Sequence, residues 1–267
     1  MKYLSQKKGF LGYEANSKIS NKVVVIPFGL EKSVSYGSGT RNGPKEIIKA
    51  SHQVELFDED LKKEPYKSIG IKTLKPFQIK KNLKAAINQL SEINKKIISE
   101  NKFPLVLGGE HSITPGSIKP FTKRYEQLTI LHFDAHADLR EEYNGCAIKR
   151  CLDFKNVKII SFGIRNLSSN EMNFYNANRK KIKIFWAKDK SHWNLNEIKK
   201  IFLGKNVYIT FDVDSFDSSI MTATGTPEPG GLMWDDVIPI IKTVCKSSNI
   251  VGADINTVSP PHDVGGM

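Results

Sequence analysis

Short β-branched apolar runs, separated by longer amphipathic segments, recur along the whole chain. A continuous run of this kind is typical of a strand that is buried on both faces of a sheet. We interpret seven segments as strands, namely 22–27, 104–107, 128–133, 157–162, 181–186, 207–211 and 250–253, of which 181–186 is half exposed. These runs predict a sheet whose central strands are covered on both faces.

The segments between the strands carry helical patterns. Leu83, Ala86, Leu90, Ile93 and Ile97 lie at helical spacing and form an apolar stripe in the segment 80–100. Further helices are predicted at 194–202, at 234–244 and in a short segment that begins at 43–44, where proline suits the first turn. This alternation indicates an α/β fold with a parallel sheet. Because the chain shows no internal repeat and no low-complexity linker, we interpret residues 1–267 as a single domain.

Composition and charge restrict the compartment and the partners. The chain has 267 residues, three cysteines and a formal net charge of +12. No run approaches the ~18 apolar residues of a membrane span, the N-terminus lacks the apolar core of a signal peptide, and the sparse cysteines do not suggest a disulfide framework. We therefore expect a cytoplasmic protein with no membrane partner. The positive charge is mostly lysine spread along the chain, without interleaved aromatic residues, so we also expect no nucleic-acid partner.

Acidic residues and a histidine stand directly after two of the predicted strands. The strand 128–133 runs into Asp134, His136 and Asp138, and the strand 207–211 runs into Asp212 and Asp214. In an extended segment, residues two apart point to the same side, so each set is expected to converge. Ligand sites of open α/β sheets gather at the carboxyl ends of the strands, where these residues lie.

A second histidine follows a third strand. The strand 104–107 runs into Gly108 and Gly109, which allow a tight turn, and then into His111. Each piece alone has a structural alternative, because a single histidine after two glycines is more often structural and an isolated Asp-Val-Asp is often a solvated turn. Together, four aspartates and two histidines are too many ligands for one tetrahedral zinc, and they suit two divalent ions that share a carboxylate.

Four longer motifs run through the chain in order: GGEHS (108–112), FDAHADLR (133–140), FDVDSFD (211–217) and ATGTPEPGGL (223–232). With the segments 35–44 and 258–261, they resemble the arginase/agmatinase family, the ureohydrolases, and most closely its agmatinase-like branch. The resemblance implies a three-layer α/β/α sandwich around a mainly parallel sheet of about eight strands. It also implies a homo-oligomer, trimeric or hexameric, and two Mn²⁺ ions per chain, held by His111, Asp134, His136, Asp138, Asp212 and Asp214.

The activity that the resemblance implies is hydrolysis of a small guanidino substrate to urea and an amine. In the agmatinase-like branch the substrate is agmatine and the amine is putrescine. Asp138 is then expected to be catalytic as well as a metal ligand, because it can deliver a proton to the leaving amine. Alternatives are another ureohydrolase, such as an arginase, a guanidinobutyrase or a formimidoylglutamase, and a metal-binding pseudoenzyme.

The sequence departs from the family pattern in two places where relatives have additional segments. Relatives carry a histidine-containing stretch where Gly145 here is followed at once by Cys146. They also continue into a final helix beyond the position of Met267, which this sequence lacks. The histidine assists substrate binding or proton transfer in the family.

A third departure concerns substrate recognition. Relatives have a glutamate that holds the guanidinium group at the position of Thr257, and a neutral hydroxyl cannot replace a charge-assisted, bidentate grip. A carboxylate that lies nearby in the folded protein, Glu228 or Asp263, could take over this role. If neither does, Thr257→Glu should raise kcat/KM for agmatine; if one does, the added like charge should lower it.

The lysine-rich composition generates a first testable prediction. If the net charge of +12 belongs only to a solvated surface, affinity for duplex DNA should be weak and should collapse as salt is raised, because counterion release dominates such binding. Fluorescence anisotropy with labelled duplexes of different sequence at increasing salt measures this. Tight binding that depends on sequence at physiological salt would contradict it.

Overall fold

Eight strands form one parallel sheet at the centre of the protein. The computed structural model describes residues 1–13, 20–34, 36–141 and 145–266. The strands are β1 (Val23–Phe28), β2 (Ile71–Thr73), β3 (Phe103–Gly108), β4 (Leu128–Phe133), β5 (Val157–Ile164), β6 (Ile182–Trp186), β7 (Asn206–Asp212) and β8 (Asn249–Asn256). Their order is β2-β1-β3-β8-β7-β4-β5-β6, and every pair of neighbours is parallel. The predicted parallel sheet is confirmed.

The strands are connected by helices that lie on both faces of the sheet. In the described ranges the α-helices are α1 (Gly43–Ala50), α2 (Tyr66–Ile69), α3 (Leu83–Ser99), α4 (Thr114–Arg124), α5 (Ala147–Cys151), α6 (Ser169–Ala177), α7 (Leu195–Phe202) and α8 (Trp234–Ser247). Asn82 caps α3 through its side chain, and Ser168 and Glu171 form a capping box at α6. None of these helices is long and apolar enough to cross a membrane.

The central strand β4 shows why the fold has three layers. Its side chains alternate in direction, as in any strand. Leu128 and Ile130 pack in the core that includes α4, α5 and α6, whereas Leu131 and Phe133 pack in the core under α7 and α8. All six residues of β4 are buried. The three-layer α/β/α sandwich is therefore confirmed.

The structure also contains elements that the sequence patterns did not predict. Strand β2 has only three residues, and α4 contains Pro120 and Gly116, both of which normally disfavour a helix. Gly116 is used for close packing, because a Cβ there would lie 2.6 Å from the carbonyl oxygen of Ile87 in α3. Ile118 and Phe121 are buried in the core, and this burial favours the helix despite its breakers.

Three sequence features lie at or beside residues outside the described ranges. Position 35, the start of the 35–44 segment, and Met267 lie outside them, and residues 142–144 precede the junction of Gly145 and Cys146. The departures from the family pattern at this junction and at Met267 therefore stay predictions.

Candidate metal centre

The polar residues identified in the sequence follow strands that are close together in the sheet. Strands β3, β8, β7 and β4 are consecutive neighbours, and all run in the same direction. Their carboxyl ends therefore meet at one edge. His111 follows β3, Asp134 follows β4, and Asp212 ends β7. The sheet thus brings together side chains that are as much as 101 residues apart in the chain.

The first cluster surrounds one nitrogen of His111. Its Nδ1 lies 3.0 Å from Oδ2 of Asp134, 3.3 Å from Oδ2 of Asp138 and 3.4 Å from Oδ2 of Asp212. The ring and the three carboxylates are almost entirely shielded from solvent. Despite these neighbours, Nδ1 makes no hydrogen bond within the described part of the chain. A buried nitrogen that faces three carboxylate oxygens without a hydrogen bond fits a metal-ligand set.

The second cluster surrounds His136. Its Nδ1 lies 3.0 Å from Oδ2 of Asp214 and 3.5 Å from Oδ1 of Asp134. Asp134 therefore directs one carboxylate oxygen towards each cluster. Among the described residues, the triads His111–His132–Asp134 and Asp134–His136–Asp214 each place three potential ligand atoms within 4.8 Å of one another. Two ligand sets that share one carboxylate suit a pair of ions ~3.5–4 Å apart.

The predicted convergence is present, but the backbone reaches it by a different path. Strand β4 ends at Phe133, and Asp138 has a φ of 52°, a left-handed conformation that aspartate tolerates better than most residues. Asp212 and Asp214 are joined by a 3₁₀ turn, in which Asp214 N donates to Asp212 Oδ1 at 3.0 Å. As a result, Asp212 faces the first cluster and Asp214 the second.

Gly108 and Gly109 are required for a reason other than the predicted turn. Neither residue has a positive φ. A Cβ on Gly109 would lie 2.0 Å from the carbonyl oxygen of Leu30, and one on Gly108 would lie 2.1 Å from the side chain of Asn256. Glycine at both positions lets the segment after β1 and the last residue of β8 approach closely enough to form the site.

A buried hydrogen-bond network fixes the orientation of His111. Thr210 Oγ1 donates to Asp254 Oδ1 at 2.5 Å, so it accepts from His111 Nε2 at 2.8 Å. Tyr208 donates its hydroxyl to the other carboxylate oxygen of Asp254 at 3.0 Å. With Nε2 held as a donor, Nδ1 is the nitrogen that can bind a cation. Partners of this kind set the tautomer of metal-binding histidines.

The electrostatics of the two clusters also favour a cation. Burial raises the pKa of Asp212 well above its usual range, and the carboxylates of Asp214 and Asp134 raise it further. Burial alone would lower the pKa of His136, but Asp134 and Asp214 outweigh it and raise that pKa to about 12. The pKa of His111 is raised for the same reason, by Asp134 and Asp138. In the metal-free protein the imidazoles therefore hold protons that metal ions would displace.

His132 is a site residue that the sequence patterns did not identify. It is fully buried, with Nε2 3.0 Å from Asp134 Oδ2 and Nδ1 2.9 Å from Ser161 Oγ. The sequence could have identified His132, because it lies two residues before Asp134 and side chains two apart in a strand point to the same side. Thr210 and Asp254 were also missed, and Thr210 had a similar signal two residues before Asp212 in β7.

A cavity of about 290 Å³ opens above the two clusters. Besides cluster residues, its wall includes Tyr36, Glu110, Glu171, Glu228 and Thr257. Asp263, the other carboxylate considered from the sequence, does not line the cavity in the described part of the structure. A small molecule in this cavity would lie directly against both clusters.

Two histidine–carboxylate clusters at the carboxyl edge of a parallel α/β sheet fit a paired metal site. The sequence profile of the Arginase family matches residues 21–267, and the chain belongs to this family of ureohydrolases.

Individual relatives agree with this assignment. The chain is 30% identical to N(1)-aminopropylagmatine ureohydrolase of Synechocystis sp., over 97% of this chain and 89% of the relative. It is 32% identical to an agmatinase of Bacillus cereus, over 91% of this chain and 85% of the relative. The crystal structure of agmatine ureohydrolase of Thermoplasma volcanium superposes with a TM-score of 0.80 and 28% identity, over 92% of this chain and 84% of that chain.

Arg165 holds together the two loops that border the second cluster. Its guanidinium group donates to the backbone carbonyl oxygens of Gly163, Asp214, Ser215, Phe216, Glu228 and Pro229. Removing it would leave several partly buried carbonyl groups without a donor.

We expect Arg165→Ala to lower the free energy of unfolding by about 2 kcal/mol or more, since hydrogen bonds from a charged group each contribute roughly 1.5–3 kcal/mol and do not add fully. Urea denaturation of the metal-free protein measures this change. Arg179→Ala is the matched control, because in the described structure the side chain of the exposed Arg179 donates hydrogen bonds only to Asn176, an exposed residue at the end of α6. Equal stability of the two variants would contradict the role of Arg165.

Proposed function

We propose that this ureohydrolase hydrolyses agmatine to urea and putrescine with two Mn²⁺ ions. The observation that carries the proposal is the pair of clusters that share Asp134 at the base of a cavity. The proposed metal ligands are His111, Asp134, His136, Asp138, Asp212 and Asp214, as expected from the sequence. A cytoplasmic location and a trimeric or hexameric assembly remain predictions.

The residues of the clusters have distinct proposed roles. Two divalent ions bound there would activate water for attack on the guanidinium carbon at neutral pH. Thr210 and Asp254 hold His111 in the orientation that presents Nδ1. Asp138 is the proposed proton carrier to the leaving amine, because its side chain is only 10% exposed and lies at the cavity wall.

The charge of the cavity favours a substrate that is positively charged along its length. Seven of the described wall residues are acidic, namely Glu110, Asp134, Asp138, Glu171, Asp212, Asp214 and Glu228. The described wall also includes Arg140, whose Nε lies 3.6 Å from Glu171 Oε2. Agmatine carries a guanidinium and an ammonium group, whereas arginine and guanidino acids add a carboxylate that this wall would repel. The names of the Bacillus and Synechocystis relatives point to the same class of substrate.

Urea release by the manganese-loaded protein tests the substrate. The panel is agmatine, N(1)-aminopropylagmatine, arginine and 4-guanidinobutyrate, and N-formimidoylglutamate is assayed separately for formamide, because hydrolysis of its formimidoyl group cannot yield urea. We expect the highest kcat/KM with agmatine, and we expect Asp138→Asn to lose at least a hundredfold in kcat because it removes the proton carrier. A preference for a carboxylate-bearing substrate would contradict the proposal, and release of neither urea nor formamide from any compound would favour the pseudoenzyme.

The metal content is a separate prediction. Protein loaded with Mn²⁺ should retain close to two ions per chain after equilibrium dialysis, and Asp134→Ala should remove most of this binding, because Asp134 faces both clusters. Asp235→Ala, an exposed aspartate in the first turn of α8, is the control and should bind as wild type does. A single ion whose affinity is unaffected by changes at Asp212 and Asp214 would rule out the two-ion centre.

A further inference from the structure

We infer that Glu228 is the residue that binds the guanidinium group of the substrate; the inference rests on the proposed ureohydrolase reaction. Glu228 lies in the cavity wall, and its Oε1 is 3.8 Å from His136 Nε2. The other nitrogen of that ring, Nδ1, faces the second cluster. The carboxylate therefore lies across the His136 ring from the second cluster, in the wall of the cavity that would hold the guanidinium group.

The other carboxylates of the cavity wall already have partners. The four aspartates converge on the two clusters. Glu110 accepts four hydrogen bonds, two of them from backbone N–H groups, and Glu171 accepts three at the start of α6. Glu228 accepts a single hydrogen bond, from Asn166 Nδ2 to Oε1 at 2.5 Å, among the residues the structure describes. Its second oxygen can therefore accept from a guanidinium N–H.

Thr257 does not offer an alternative grip on the substrate. Its hydroxyl lies within hydrogen-bond distance of Asp212 Oδ1 and of the carbonyl oxygen of Asn256, and it donates its proton to these acceptors. Its φ of 66° is an unusual left-handed conformation for a β-branched residue, and Thr257 N donates to Gly109 O at 2.7 Å. The side chain is thus committed to positioning Asp212. A glutamate in its place would direct a further negative charge at the first cluster.

Glu228 is held from both sides in the position that the inference requires. Asn166 fixes the carboxylate, while the carbonyl oxygen of Glu228 accepts from Arg165 Nη2 at 2.7 Å. Asn166 in turn donates its backbone N–H to Ala135 O and forms a β-bridge with His136. The carboxylate is consequently tied to the same backbone segment that carries the second cluster. Such preorganisation is what a substrate-orienting residue needs.

Glu228→Gln tests the assignment, because it keeps the size of the side chain and removes the charge. With agmatine as substrate and saturating Mn²⁺, kcat/KM should fall about tenfold to a hundredfold, the effect of losing one charge-assisted hydrogen bond. Glu228→Asp, which keeps the charge, should recover part of the loss. Glu92→Gln, an exposed residue of α3 paired only with Lys95 in the described structure, should match wild type.

Three further measurements separate guanidinium binding from a role in shaping the metal site or in binding the ammonium group. Equilibrium dialysis should find the same Mn²⁺ stoichiometry and affinity in Glu228→Gln as in wild type. Butylguanidine has a guanidinium group but no ammonium group. With butylguanidine as substrate, Glu228→Gln should lower kcat/KM relative to wild type by the same factor as with agmatine. Thr257→Glu should lower kcat/KM rather than raise it, because it adds charge beside Asp212 without replacing Glu228.

The results distinguish failure of this inference from failure of the proposed function. If wild type releases urea and Glu228→Gln does so with unchanged kcat/KM, the inference is wrong and the function stands. A loss of bound Mn²⁺ in Glu228→Gln, or a loss of activity with agmatine but not with butylguanidine, would equally overturn the guanidinium assignment. If wild type releases no urea from any guanidino compound, both fail.

Discussion

The repulsion among four buried aspartates is the interaction on which the rest of this structure depends. Asp134, Asp138 and Asp212 approach the same imidazole nitrogen within 3.4 Å, and Asp214 completes a second cluster beside them. Carboxylates that crowd around the same imidazole groups, away from water, are tolerated only when positive charge lies among them. Protons on His111 and His136 supply it in the metal-free chain, and divalent ions can supply it more effectively.

The sheet positions these charges, and a surrounding set of polar side chains keeps each one in its place. Thr210 and Asp254 lie behind His111, Thr257 contacts Asp212, and Arg165 anchors the loops of Asp214 and Glu228. These partners are on strand ends and on the segments that follow them, where the backbone is fixed by the parallel ladder. The fixed backbone holds the aspartates together despite their repulsion, and it also holds the acidic side chains of the cavity wall in place for a cationic substrate.

The sequence predicted the elements and the cluster residues that depend on local pattern. Apolar runs identified seven of the eight strands, and period-two spacing identified Asp134, His136 and Asp138 as neighbours. Features that depend on tertiary contacts escaped it. Helix α4 forms around Pro120 because its apolar residues are buried, and the left-handed backbone at Asp138 departs from the extended conformation that period-two spacing assumes. The sequence also could not show which of the carboxylates of Glu110, Glu171 and Glu228 has an oxygen free to bind substrate, because their hydrogen-bond donors come from other parts of the fold.

Anomalous diffraction from crystals grown with Mn²⁺, collected at the manganese absorption edge, tests the central claim most directly. Two peaks per chain are expected, one beside His111 Nδ1 and one beside His136 Nδ1, with Asp134 in contact with both. One oxygen of Asp134 should approach each peak, as its present orientation suggests. A single peak, or manganese located away from Asp134, would contradict the claim that balancing these buried carboxylates with two cations organises the site.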